Sequence, residues 1–150
     1  MKEDIPLLGR LVVRAFQRYW RLVRGLSLSV EGCVVDEAGC VLMVREENGG
    51  NWELPWGNVR ANENLESALR RVLREAAGIE VNGQPQLSFF HAAGANGQTG
   101  SYLVRNWRPI TGWEGEPRRF FPEKALPGDT AGEQAERIRR LLQDRTISQV

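Results

Sequence analysis

A carboxylate is the side chain that best binds hard cations, and it also serves in proton transfer. This sequence carries Glu53, Glu63 and Glu75 near one another, with Glu114 and Glu116 later in the chain. His91 is the only imidazole, the side-chain type best suited to exchanging protons near neutrality. Tyr102, Trp107 and Trp113 are rings on which a nucleobase can stack. Each has a plainer fate. Loop acids are mostly solvated, a lone strand histidine usually packs or hydrogen-bonds, and aromatic rings usually fill cores.

The best-marked element runs from Asn64 to Gly78. Asn64 is a suitable N-cap, Glu66 falls in the first turn near the positive helix end, and Gly78 is a C-terminal stop. With Leu65 at zero on a helical wheel, Val72 and Ala76 fall about 20° to either side, within the stripe of Leu65, Ala68, Leu69 and Leu73. Glu75 lies about 80° off. Taken alone, this is an amphipathic core helix with Glu75 on its rim.

The elements around it follow from periodicity and turn chemistry. Residues 7–24 repeat Val12, Phe16, Tyr19, Trp20 and Val23 at helical spacing. Arg10, Arg14, Arg18, Arg21 and Arg24 gather roughly 160° away. The spacing predicts a surface helix with its aromatic side on the domain, or else a homodimer contact or a binder of anionic surfaces. Ser27–Val35 and Cys40–Val44 read as strands joined by an Asp36–Gly39 turn into a hairpin. Trp52–Pro55 reads as extended. Residues 79–81, 86–91 and 101–107 are predicted strands, the first two separated by an Asn82-Gly83 turn, with a glycine-rich loop over 92–100. Arg118–Phe121 is a further strand, and Thr130–Gln143 a polar helix. Helices interspersed among strands imply an α+β domain, layered α/β/α, with a mixed β-sheet flanked by helices.

A chain of 150 residues is one domain able to bury a real core. A net charge of +1 gives no field that argues for nucleic acid. No apolar run spans a bilayer and no secretory signal opens the chain, so a cytoplasmic protein is expected. Cys33 and Cys40 suit neither a zinc site nor a disulfide framework and are expected to be reduced strand residues.

Residues 57–79, GNVRANENLESALRRVLREAAGI, resemble the Nudix box, G-x5-E-x7-R-E-U-x-E-E-x-G-U with U a bulky aliphatic. Gly57, Glu63, Arg71, Leu73, Glu75, Gly78 and Ile79 are in register, while Val72 and Ala76 stand where the pattern has glutamates. Trp52-Glu53-Leu54-Pro55 resembles the family's W-x-L-P-G-G lead-in, with Trp56 replacing its first glycine. Phe120-Phe121-Pro122 and Ala125-Leu126-Pro127 resemble a late strand and turn of small bacterial members. The likeness covers most of residues 27–143, so the expected layout is an N-terminal arginine-rich helix over 1–26 and a Nudix-like domain over 27–150.

The resemblance implies a Nudix fold and a relation to pyrophosphohydrolases of nucleoside diphosphates linked to another group. In such enzymes Mg²⁺ or Mn²⁺ offsets charge developing on the bridging oxygen. Its metal ligands sit at helix offsets of zero, three and four, here Val72, Glu75 and Ala76. Glu75 is thus the implied metal and catalytic residue. Glu114 aligns with an acid of the family's late loop that serves as base or extra ligand. Gly57, Glu63, Arg71 and Gly78 take structural roles, and Asn62 replaces a glycine in a left-handed turn. Trp56 and His91 are the candidate substrate contacts, with the tryptophan filling the cleft, stacking on a base or facing solvent. The expected cofactor is Mg²⁺ or Mn²⁺, held weakly or not at all, and the expected partner a small nucleotide or diphosphate. Three readings follow: a binding module with weak or no hydrolysis, an active hydrolase with a thinned metal site, and an interaction protein acting through the arginine helix.

Overall fold

The computed structural model describes residues 27–46, 49–110 and 118–143. The helix expected over 7–24 and the residues Trp113, Glu114 and Glu116 lie outside the described residues. Among the described residues, no helix is long and apolar enough to cross a membrane.

The framework is a four-stranded sheet. Strand β1 (Ser27–Val34) lies between the short edge strand β3 (Trp56–Asn58), antiparallel to it, and β6 (Gly97–Val104), parallel to it. Strand β5 (Gln86–Ala92) closes the far edge antiparallel to β6. The described residues also form two antiparallel pairs: β2 (Val41–Val44) with β8 (Arg118–Phe121), and β4 (Ile79–Val81) with β7 (Trp107–Pro109).

Alternation along β1 decides what each face holds. Val30 and Val34 point to one side, and Gly32 between them lets a helix approach: a Cβ there would stand 2.9 Å from Leu73 Cδ2. That helix, α1 (Leu65–Val72), buries Ala68, Leu69 and Val72 and continues through a π-helical turn, Leu73–Ala77. The Asn64 side chain caps it by accepting from the Ser67 N–H at 2.8 Å. Gly78 ends it in the left-handed conformation at φ +66°. On the other face Cys33 and Val35 join Val41, Met43, Leu54 and Leu103 beneath Ile138 and Leu141 of α2 (Gly132–Leu142). The layers are α/β/α.

Four sequence expectations are corrected. β1 and β2 do not form a hairpin ladder; they meet in a single Val35–Val41 bridge. The Asp36 carboxylate accepts from the Ala38 and Cys40 N–H groups, turning the chain there. Leu42 then enters one core and Met43 the other, so β2 is buried on both faces and pairs with β8. The Asn82-Gly83 turn does not fold β4 onto β5; β4 pairs with β7. Strand β6 begins at Gly97, inside the predicted loop, because its parallel partner β1 extends that far. Asn62 is not left-handed: among the described residues every positive φ is a glycine.

Candidate functional site

A cleft of about 260 Å³ opens between the sheet and α2. Its floor comes from the same face of β1 that carries Cys33, because Ser29 and Glu31 alternate in step with it. The register sets the neighbours. Ser29 faces Thr99, and Thr99 faces His91; Glu31 faces Ser101 on one side and Trp56 on the other. The Ser29 and Thr99 hydroxyls are 2.7 Å apart.

Glu31 is 4% exposed. Its Oε2 accepts from Ser101 Oγ at 2.6 Å and from Arg137 Nε at 2.9 Å, and its Oε1 accepts from Arg137 Nη2 at 3.1 Å. His91 Nε2 lies 3.1 Å from the same Oε2. Burial pushes the Glu31 carboxyl up, but hydrogen bonds from Arg137 and Ser101 and the Arg137 charge outweigh it, holding the group below its ordinary range. The ion pair also fastens α2 to the sheet, and the Leu54 N–H, in the segment between β2 and β3, donates to the Gln134 side chain.

Trp56 stands at the cleft, 49% exposed, with its indole N–H donating to Glu53 Oε1 at 3.0 Å. On the other side of the sheet, Arg71 of α1 donates to Glu63 through Nε at 2.7 Å and Nη2 at 2.9 Å, and to the Asn58 carbonyl at 2.7 Å. Glu63 also accepts from the Arg60 N–H. The Arg71 hydrogen bond is the main cause holding the Glu63 carboxyl low. Val72 is buried against Gly57: a Cβ on that glycine would lie 2.7 Å from Val72 Cγ2. The Glu75 side chain is 60% exposed, 3.4 Å from Arg71 Nη1, and Ala76 beside it is half-buried. Among the described residues, no group of three or more His, Cys, Asp or Glu is placed to hold a metal ion.

A family model described as NUDIX domain matches residues 25–140. The chain belongs to the NUDIX family. A MutT-like protein of Streptomyces ambofaciens is 42% identical over 55 residues, covering 37% of this chain and 36% of that protein. A putative 8-oxo-dGTP diphosphatase 2 of Mycobacterium tuberculosis is 40% identical over 60 residues, covering 37% of this chain and 41% of its own length. The matched region thus spans less than half of either relative. Among solved structures, a mutator MutT protein of Bacillus halodurans superposes with a TM-score of 0.64 at 16% identity, covering 79% of this chain and 84% of that one. A MutT NUDIX hydrolase of Burkholderia pseudomallei gives 0.60 at 21% identity, covering 77% and 97%. At these identities the structures show the shared fold.

Within the NUDIX fold, the residues singled out in the sequence separate into two places. Glu63, Arg71, Val72, Glu75 and Ala76 gather along α1, its π-helical turn and the loop before it, with Gly57 of β3 packed against Val72 and Gly78 at the helical end. Trp56 and His91 line the cleft instead. Glu31, Ser101 and Arg137 were not anticipated. One signal was available: Glu31 is the only charged residue in an otherwise apolar and small-residue strand, SLSVEGCVV. Arg137 gave none, because an arginine on a polar helix is indistinguishable from its solvated neighbours.

Proposed function

We propose that this NUDIX domain binds a nucleotide or another diphosphate-bearing ligand and hydrolyses it weakly or not at all. The names of the curated relatives, a MutT-like protein and a putative 8-oxo-dGTP diphosphatase, support a nucleoside phosphate as the ligand class. The observation that carries the loss of hydrolysis is Val72 packed against Gly57. Mg²⁺ and Mn²⁺ take hard oxygen ligands. Around this helix position the side chains are Val72, Ala76 and an exposed Glu75 already neighboured by a guanidinium. That donor set does not fit a divalent ion. Metal assistance is worth several kcal/mol, and each ~1.4 kcal/mol is tenfold in rate, so a deficit of about three orders of magnitude follows.

The test is phosphate or pyrophosphate release from nucleoside di- and triphosphates, 8-oxo-dGTP among them, with and without Mn²⁺, beside calorimetric binding of the same compounds. Binding with turnover near background is expected. Robust metal-dependent turnover that disappears in Glu75→Gln would restore the hydrolase reading. Two free thiols, Cys33 and Cys40, suit a reducing compartment and support a cytoplasmic location; recovery of the tagged protein from a secreted fraction would reject it. The arginine periodicity supports residues 1–26 as a helix packed on the domain or joining two copies. Reversing Arg14, Arg18 and Arg21 then alters the sedimentation profile only if the helix joins copies.

A further inference from the structure

The cleft has an unusual balance for a protein of nucleotides. Three carboxylates, Glu31, Glu53 and Glu133, line it against one guanidinium, Arg137. Arg137 is occupied by Glu31 through two nitrogens, so this pair neutralises itself at the floor. Glu53 and Glu133 remain, and among the described residues neither forms an ion pair. Phosphate oxygens brought beside them meet like charge.

Trp56 supplies the complementary surface. It is one of two large hydrophobic side chains left exposed among the described residues, and it lines this cavity. Its only polar atom is committed to Glu53, so it offers the cleft the apolar, electron-rich body of its ring. An indole with carboxylates nearby attracts organic cations by ring quadrupole and by charge together. Resting on the ligand-binding reading above, we infer that the cleft takes a positively charged, ammonium-bearing group of its ligand, recognised by Trp56, Glu53 and Glu133, while the diphosphate stays outside it.

The test is calorimetry on the full chain with three probes: CDP-choline, CDP-glycerol and choline chloride. The first two share a nucleoside diphosphate and differ in the presence of a cation. CDP-choline is expected to bind about tenfold more tightly than CDP-glycerol, a 1.4 kcal/mol difference. The preference falls to near parity in Trp56→Leu and in Glu53→Gln/Glu133→Gln, with melting temperatures close to that of the parent. Equal affinities in the parent overturn the inference and leave nucleotide binding standing. A preference that persists in both variants also overturns it, by placing the cation elsewhere. Choline chloride bound in a Trp56-dependent way, with neither cytidine compound bound, upholds the cation site and removes the nucleotide reading. No binding of any probe sinks both.

Discussion

Arg137 of the last helix meets Glu31 of the first strand with two nitrogens, 2.9 Å and 3.1 Å from the two carboxylate oxygens. The contact joins residues 106 positions apart and ties α2 to the sheet at the cleft floor. A buried carboxylate with its cation removed costs far more than the pair contributes, because the remaining charge keeps its desolvation penalty. Arg137→Met is therefore expected to destabilise the fold by about 3 kcal/mol, the lower end for a buried pair because Arg137 is itself partly exposed. Adding Glu31→Gln to that variant recovers part of the loss. A double-mutant cycle in urea measures the coupling, and simple additivity would show that the pair does not act as a unit.

Glu31 and Glu63 both titrate below their ordinary value of 4.5 in the folded state. A carboxyl lowered on folding contributes stability that is fully present above its unfolded value and is lost as pH falls through the folded one. The urea midpoint should therefore be insensitive to these groups from about pH 7 to pH 5 and decline below about pH 4.5. The decline is shallower in Glu63→Gln, which removes a carboxyl held low mainly by Arg71. An unchanged acid limb in that variant contradicts the assignment.

Gly57 and Val72 are a steric pair. A methyl at Gly57 would meet Cγ2 of a buried, β-branched side chain with little rotamer freedom. Gly57→Ala should cost about 2 kcal/mol from overpacking. In a Val72→Ala background, the same change costs much less. Thermal or urea unfolding of the four combinations measures this, and an equal penalty in both backgrounds would place the strain elsewhere.

Restoring carboxylates tests the family inference at the same spot. Val72→Glu/Ala76→Glu lowers stability without metal, since an acid replaces a valine that is 3% exposed. Mn²⁺ then raises the melting temperature of the double variant and not of the parent, because an ion that binds only the folded state stabilises it by mass action. An Mn²⁺ response equal in both proteins rejects the ligand assignment.

Asn64 gives a calibrating substitution far from the cleft. Its side chain satisfies one N–H of the first helical turn. Asn64→Ala should cost about 1 kcal/mol, read as a shift in denaturant midpoint with unchanged m-value.

What the sequence disclosed was local. Asn64 and Gly78 marked the ends of α1 through side-chain capping and backbone freedom, both properties of single residues. The stripe around Leu65 identified the buried face, and Glu75 stands on the rim that the wheel assigns it. Long-range pairing was not legible. Alternation predicts that 27–35 and 41–44 are strands, yet nothing local indicates that β2 pairs with β8 rather than β1. The cleft was hidden for the same reason: Glu31, Ser101 and Arg137 converge only after β1 and β6 align in parallel and α2 folds over them. Trp56 had three open fates in the sequence, and the cleft mouth beside Glu53 is where it stands.

The parallel union of β1 with β6 joins Ser27 to Gly97 and Val34 to Val104. During synthesis the first of these strands leaves the ribosome long before its mate exists. Until then only β3, three residues long, pairs with β1, and the other edge of β1 stays open through the making of everything between, including α1. Such an open strand edge is a natural client for a holding chaperone, and it closes only when the residues up to Val104 have cleared the exit tunnel.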